Sequence, residues 1–290
     1  MMRRLQLVGL IPLLGLLVSV QPAGSATTAI FHRPIVSVAA NQSNNWSGYN
    51  QGSIEKGTLF NHVTSDWTVP TASAHKRGEQ EFSSTWTGIG GGCVEPSCQV
   101  PDATLIQAGT EQDVDASGHA SYSAWWELIP APSVPISGMT IKPGDHMHVD
   151  IGEVVPNSEV WSMTVKDVTT GKSFSQTVPY SSSHATAEWI EETPLVIDTS
   201  GNVFNPLPNL SRVNFDLATV NGANPKLKSS EEIQLVDSNN KPLATPSSPD
   251  PDTDGFNVCA YASSCAAPST SSATTSTSTH HTHHSNSKTH

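Results

Sequence analysis

Charge is what this sequence has least of. Of 290 residues, 14 are Lys or Arg and 26 are Asp or Glu, so charged side chains make up 14% of the chain, against about 25% in an ordinary globular protein. The basic residues are scattered as well as few, which excludes the clustered basic surface that nucleic-acid binding needs. There are only four cysteines, and neither close pair has the CxxC spacing of a structural zinc site. GxSxG, HExxH and a glycine-rich loop opening a helix are all missing, which removes the standard serine-hydrolase, zinc-peptidase and nucleotide-binding patterns. No stretch keeps a 3.6-residue apolar period for three turns, so a helical architecture is excluded too.

One long apolar run is present, at the start. Met1-Met2-Arg3-Arg4 is a short basic stretch, and Leu5 to Val20 is apolar apart from Gln6, Ser19 and small residues. This reads as a secretory signal peptide over residues 1–26, because the run is shorter than the roughly 20 residues that a membrane span needs. The expectation is a secreted protein with no membrane association once the signal is removed. Cys93, Cys98, Cys259 and Cys265 then lie in an oxidising compartment and should form disulfides. Of the three connectivities, the local pairs 93–98 and 259–265 need the least chain closure, but the sequence does not choose among them.

The remainder divides by composition. Residues 27–43 read as a flexible lead-in or short pro-segment. Residues 44–240 form the folded body, and residues 241–290 a disordered tail rich in Pro, Ser, Thr and His. In that tail Pro242, Pro246, Pro249 and Pro251 are interleaved with Ser and Asp, and five histidines follow between His280 and His290. Such a composition need not pack, so everything from Lys241 onward is expected to be dispensable.

Within the body, short alternating stretches are separated by Gly, Pro and Asn: 82–89, 104–108, 122–128, 146–151, 160–165, 173–178, 185–190, 212–217 and 233–236. Asp167-Val-Thr-Thr-Gly171 reads as a hairpin turn between two of them. Many short strands without intervening helices predict an all-β sandwich of antiparallel sheets.

Polar residues set among Trp and Gly are the candidates for chemistry. Residues i and i+2 of a strand share a face, so Trp125 and Glu127 should point the same way. A carboxyl beside an indole is poorly hydrated and its pKa rises, as a general acid or base requires. Glu127, Glu188 and Gln107 are far apart in sequence and meet only if the strand register brings them together. Otherwise the two glutamates are ordinary solvent-face residues. His146 and His148 share a strand face as well, but no third ligand accompanies them, so no metal site is expected.

Four segments occur in an order that resembles the glutamic peptidases, or eqolisins: Trp86-Thr-Gly-Ile-Gly-Gly, Leu105-Ile-Gln-Ala-Gly-Thr, Tyr122-Ser-Ala-Trp-Trp-Glu and Thr186-Ala-Glu-Trp-Ile-Glu-Glu. Asn45-Trp-Ser-Gly-Tyr49 and Asp66-Trp-Thr-Val-Pro70 are similar to that family's start. The resemblance covers roughly residues 44–217. It implies a β-sandwich of two curved antiparallel sheets, and an endopeptidase active in acid on polypeptide substrates. The protein would be a monomer and need no cofactor. Gln107 and Glu188 match the catalytic pair, and Trp86, Trp125 and Glu127 match residues that line or support the site. Gly90 stands where the family commonly has Asp, just ahead of an enlarged loop holding Cys93 and Cys98.

Two other functions suit a sandwich lined with Trp and Glu. A glycoside hydrolase would use Glu127 and Glu188 as its carboxyl pair, about 5–5.5 Å apart in a retaining enzyme, and would leave Gln107 without a part. A carbohydrate-binding module would use the same face with no chemistry.

Overall fold

The computed structural model describes residues 29–198, 201–204 and 206–269. Among them are only one short α-helix, Ser53–Lys56, and one 3-10 turn, Ser229–Glu231. Everything else regular is strand, as the period-2 alternation requires.

Two antiparallel sheets face each other. In the first, the order is Val134–Pro135, Ala120–Leu128, Leu105–Val114, Ser84–Gly90, Thr186–Glu192, Trp46–Gly52 and Glu232–Val236. In the second it is Val213–Val220, His62–Thr68, His146–Glu153, Val160–Asp167 and Lys172–Pro179. Asp167 to Lys172 is the expected hairpin turn, since Asp167 pairs with Lys172 across it. Between the sheets lies the core, where Trp67, Trp161, Trp189, Phe215 and Phe256 are all buried.

The two sheets are continuous along one edge, and this corrects the expected tail. Pro242–Pro246 and Phe256–Ala260 are strands, and they carry the hydrogen-bonded ladder from Glu232–Val236 round to Val213–Val220. Phe256 is fully buried and stacks on Phe215, with ring centroids 4.7 Å apart. Its ring also tilts against Tyr49 of the first sheet, at 4.5 Å. The prolines are tolerated because they sit at the ends of their strand, where a missing N–H costs least. Of the expected tail, residues 270–290 lie outside the described residues, as does the signal segment 1–26. No helix among the described residues is long and apolar enough to cross a membrane.

The lead-in also differs from expectation. Ala29–Phe31 is a strand paired with Leu195–Asp198, and residues up to Val36 are tied down by hydrogen bonds to the first sheet and to Asn45 just ahead of it. The cysteines form the two local disulfides, Cys93–Cys98 and Cys259–Cys265.

Candidate active site

The first sheet turns one face to the core and the other to the site, and strict alternation sorts the side chains. Trp189 goes to the core, where its indole donates to Thr64 O at 2.9 Å. Its neighbour Glu188 therefore takes the opposite face. Register then lines up one row across five strands: Asn50, Glu188, Gly88, Gln107 and Glu127 are consecutive Cα partners. The next row holds Gly48, Ile190, Trp86, Gly109 and Trp125, and the one beyond it Trp46, Glu192, Ser84, Glu111 and Ser123. All five residues singled out from the sequence, Gln107, Glu188, Trp86, Trp125 and Glu127, thus stand on one face.

Gly88 separates Gln107 from Glu188. With strands about 4.8 Å apart, the two Cα atoms flanking it stand roughly 10 Å apart, and no side chain rises between them. A Cβ on Gly88 would come within 2.8 Å of Ile106 O and 3.0 Å of Gln107 Cβ, so the gap is also the condition for this close strand approach. Gln107 donates from Nε2 to Glu127 Oε2 at 2.9 Å and to the carbonyl of His32 at 2.8 Å. Its Oε1 is buried without a partner, and the Glu188 carboxyl has the Thr186 hydroxyl beside it.

Burial governs the electrostatics here. Gln107, Glu127 and Glu188 are 0% exposed. Loss of solvent pushes the Glu188 carboxyl well above the usual carboxylate range; the Thr186 hydroxyl works against the rise, and the charge of Asp102 adds to it. That hydroxyl accepts from the Gly92 N–H at 3.1 Å and keeps its own hydrogen for Glu188, but burial outweighs it. Glu127 is raised by burial as well, with His32 opposing. Glu111 and Glu192 are raised well above the ordinary value, again by burial first.

Sequence reasoning passed over several residues of this face. Glu111 lies four positions after Gln107 and Glu192 four after Glu188, so the period-2 rule that paired Trp125 with Glu127 would have found both. Trp86 donates its indole N–H to Glu192 Oε2 at 2.9 Å, which gives Trp86 a partner on the row beyond its own. Asn50 clasps the disulfide loop from both sides, donating to Cys93 O at 2.9 Å and accepting from Cys93 N–H at 2.8 Å. His32 had no signal at all, because it belongs to a segment without strand patterning.

The glycine at position 90 has a physical reason. Its φ is +95°, and a Cβ there would stand 2.1 Å from Thr104 O, so this backbone admits no aspartate. A carboxylate nonetheless acts on Glu188 from nearby: Asp102, held by the Thr104 N–H at 3.0 Å and the Thr104 hydroxyl at 3.1 Å and by the Ser183 hydroxyl. His146 and His148 are placed elsewhere, on the second sheet, where both contact the Asp66 carboxyl at 2.7 and 2.6 Å.

A two-sheet sandwich with an amide and several buried carboxyls in register on one outer face defines the glutamic-peptidase fold class. Comparison with known proteins agrees. The model of the Peptidase A4 family matches residues 44–258. The chain is 30% identical to aspergillopepsin-2 of Aspergillus niger over 171 residues, covering 52% of this chain and 56% of that protein. To scytalidopepsin B of Scytalidium lignicola it is 31% identical over 164 residues, 55% of each. It thus spans about half the length of the curated relatives it matches. Among solved structures, scytalido-glutamic peptidase with a transition state analog inhibitor superposes with a TM-score of 0.56 at 21% identity, over 75% of this chain and 98% of that one. Aspergilloglutamic peptidase from Aspergillus niger gives 0.50 at 25% identity, over 62% and 99%. The chain belongs to the peptidase A4 family.

Proposed function

We propose that the protein is a secreted endopeptidase that hydrolyses polypeptides in acid by direct attack of water, with Glu188 as general base and then acid and Gln107 as oxyanion donor. It acts as a monomer and without a cofactor. The observation that carries this reading is the row Glu188–Gly88–Gln107, in which a proton acceptor and an amide face each other across a gap with no side chain in it.

The chemistry follows from what each group offers. A water in that gap can donate one hydrogen to Gln107 Oε1, which otherwise lacks a partner, and the other to Glu188. Glu188 takes a proton as the water oxygen bonds to the peptide carbonyl carbon. The carbonyl oxygen gathers the negative charge and is met by Gln107 Nε2, whose amide has donors and no charge to titrate. Glu188 then returns the proton to the leaving nitrogen, and the C–N bond breaks.

Hydrogen bonds from the Gln107 amide and water would hold the Glu188 pKa near or below the ordinary value of about 4.3. Burial outweighs such bonds and raises the carboxyl well above that range, with the Thr186 hydroxyl opposing. Because loss of solvent is the leading cause, entry of water into the gap lowers the pKa and restores the base. The glycosidase alternative is not favoured by this register. Glu127 and Glu188 are three strands apart, with Cα atoms roughly 14 Å from one another, and Glu127 is engaged by Gln107 and His32.

A pH–rate profile on an unfolded protein substrate, run beside a polysaccharide panel, tests the reading. Proteolysis should be strongest below about pH 5, within reach of a glutamate's ordinary titration range. Glycan cleavage without proteolysis, or a proteolytic optimum at neutral pH, would overturn it.

A further inference from the structure

The two strands that close the seam between the sheets, Pro242–Pro246 and Phe256–Ala260, are paired neighbours. Between them runs Asp250-Pro251-Asp252-Thr253-Asp254-Gly255. Its composition reads as linker, yet its aspartates alternate and a glycine follows the last. That is the D-x-D-x-D-G half of a calcium loop, in which carboxylates at positions 1, 3 and 5 serve one ion and glycine at 6 permits the sharp turn. The other half of that pattern is absent. Position 12, where such a loop carries a bidentate Glu, is Tyr261 here.

The fold brings a carboxylate from elsewhere. Asp216 lies on Val213–Val220 of the second sheet, the strand that pairs with Phe256–Ala260. Phe215 packs in the core, so Asp216 takes the outer face, across the sandwich from Glu188. Carboxyl oxygens of Asp216, Asp250 and Asp254 lie within 4.8 Å of one another. Gly255 keeps the space beside them open. A Cβ there would stand 2.5 Å from Asp250 Oδ2, 2.9 Å from the Phe215 carbonyl oxygen and 3.1 Å from Asp216 Oδ1. Three oxygens therefore border one small hollow.

Burial sets this cluster apart from an ordinary acidic surface. Asp250 is 8% exposed, and Asp254 Oδ1 is sealed from solvent and accepts no hydrogen bond. A buried carboxyl oxygen without a donor is costly, and a bound cation removes that cost. The charges are also uncompensated. Among the described residues, no Lys, Arg or His forms an ion pair with Asp216, Asp250, Asp252 or Asp254. Backbone N–H groups reach two of the oxygens, from Asp254 to Asp250 Oδ1 at 3.2 Å and from Leu217 to Asp216 Oδ1 at 2.9 Å. They leave the repulsion standing: burial first, then the charges of Asp252, Asp250 and Asp216, push the Asp254 carboxyl up to about 6.

We propose that Asp216, Asp250 and Asp254 bind one calcium ion, with the exposed Asp252 adding charge at the rim. Calcium suits a set made only of hard oxygen donors in an irregular array, whereas magnesium demands a near-ideal octahedron. The ion clamps the seam, because it ties the loop between the two seam strands to the second sheet. It takes no part in hydrolysis, so the Glu188–Gln107 reading stands or falls separately.

The test is a calorimetric titration of the full-length chain, stripped with chelator, with calcium chloride at about pH 6.5, well above the ordinary aspartate pKa of about 3.9. One ion per chain should bind with a Kd below about 1 mM, and magnesium at least about tenfold more weakly. Saturating calcium should raise the melting temperature by about 5 °C or more. Asp254→Asn should weaken calcium binding at least tenfold and abolish the shift. Without metal it should melt no lower than the parent, because the substitution relieves repulsion; a merely structural carboxylate would lower the melt in both conditions. Asp216→Asn, on a separate strand, should weaken binding likewise and is the second variant should Asp254→Asn fail to fold. Calcium is the chosen probe because the imidazoles of the His-rich tail select softer ions. No binding by the parent up to about 10 mM calcium, beyond the weakest extracellular sites, overturns the proposal. Equal binding by parent and variants overturns it as well.

Discussion

Gln107 gives its amide nitrogen to Glu127 Oε2 at 2.9 Å and to the His32 carbonyl at 2.8 Å, and these bonds fix which way the amide is turned. The two ends of an amide point apart, so anchoring Nε2 toward Glu127 turns Oε1 away from Glu127. Glu127 thus acts as a positioning residue. In the proposed mechanism it fixes which end of Gln107 meets water and which meets the peptide carbonyl.

Glu188→Gln should abolish proteolysis, by at least about 10³-fold, since an amide cannot take the proton from water. The fold should persist, because the amide is of the same size and avoids burying a charge at a site where burial already raises the carboxyl's pKa. Rates on an unfolded protein near pH 4, with a thermal melt of the same sample, check both halves.

Gln107→Ala should lower kcat by about 10²–10³, the scale of one lost oxyanion donor. KM should change less than kcat. Glu127→Gln should give a smaller loss of kcat, because the amide it presents can still meet Gln107 but does not impose the same orientation. Steady-state kinetics on one peptide separates the two cases, and a loss confined to KM would assign Gln107 to binding alone.

Stability should fall as pH rises. Glu111, Glu127, Glu188, Glu191 and Glu192 are all raised by burial, so the folded chain holds their protons more tightly than the unfolded chain. For such groups the stabilisation is complete below the unfolded value of about 4.3 and is lost as pH climbs through the folded one. His32, whose pKa burial lowers, works in the opposite direction at the acid end. The melting temperature measured from pH 3 to 8 should therefore peak in acid and decline toward neutrality. Glu191→Gln should flatten that decline, since burial raises the core-side carboxyl it replaces against the opposition of the Thr85 hydroxyl, at 2.6 Å, and of Ser83.

Ending the chain at Asn240 should prevent folding. That cut removes both strands that join the sheets, and with them the buried ring of Phe256. Phe256→Ala alone should cost about 3–5 kcal/mol, the range for deleting a buried phenyl, as read from urea unfolding. A truncated chain that melts within a few degrees of the parent would show the edge strands to be ornamental.

Much of this architecture was legible, and the failures have physical causes. Strand positions such as 122–128 and 160–165 were readable because one face is buried and the other is not, and the alternation survives in the residues. The pairing of Trp125 with Glu127 followed from the same period. Which rows the strands form is a matter of register, and register is set by turns and core packing distributed over the whole chain. No local pattern announces that Glu188 and Gln107 flank Gly88. Pro242–Pro246 was misread as linker because proline at strand ends looks like proline in a coil. The segment 29–36 was misread because its order comes from partners such as Glu127 and Glu192, found far along the sequence, and owes nothing to its own propensity.

The continuous edge has a consequence for how the protein is made. Synthesis runs from the lead-in segment, whose His32 carbonyl accepts from Gln107, through the strands that bear Gln107 and Glu188, to Phe256–Ala260, which closes the barrel-like seam between the sheets. That segment emerges before the face it bonds to exists, and the sandwich that supports that face is finished last.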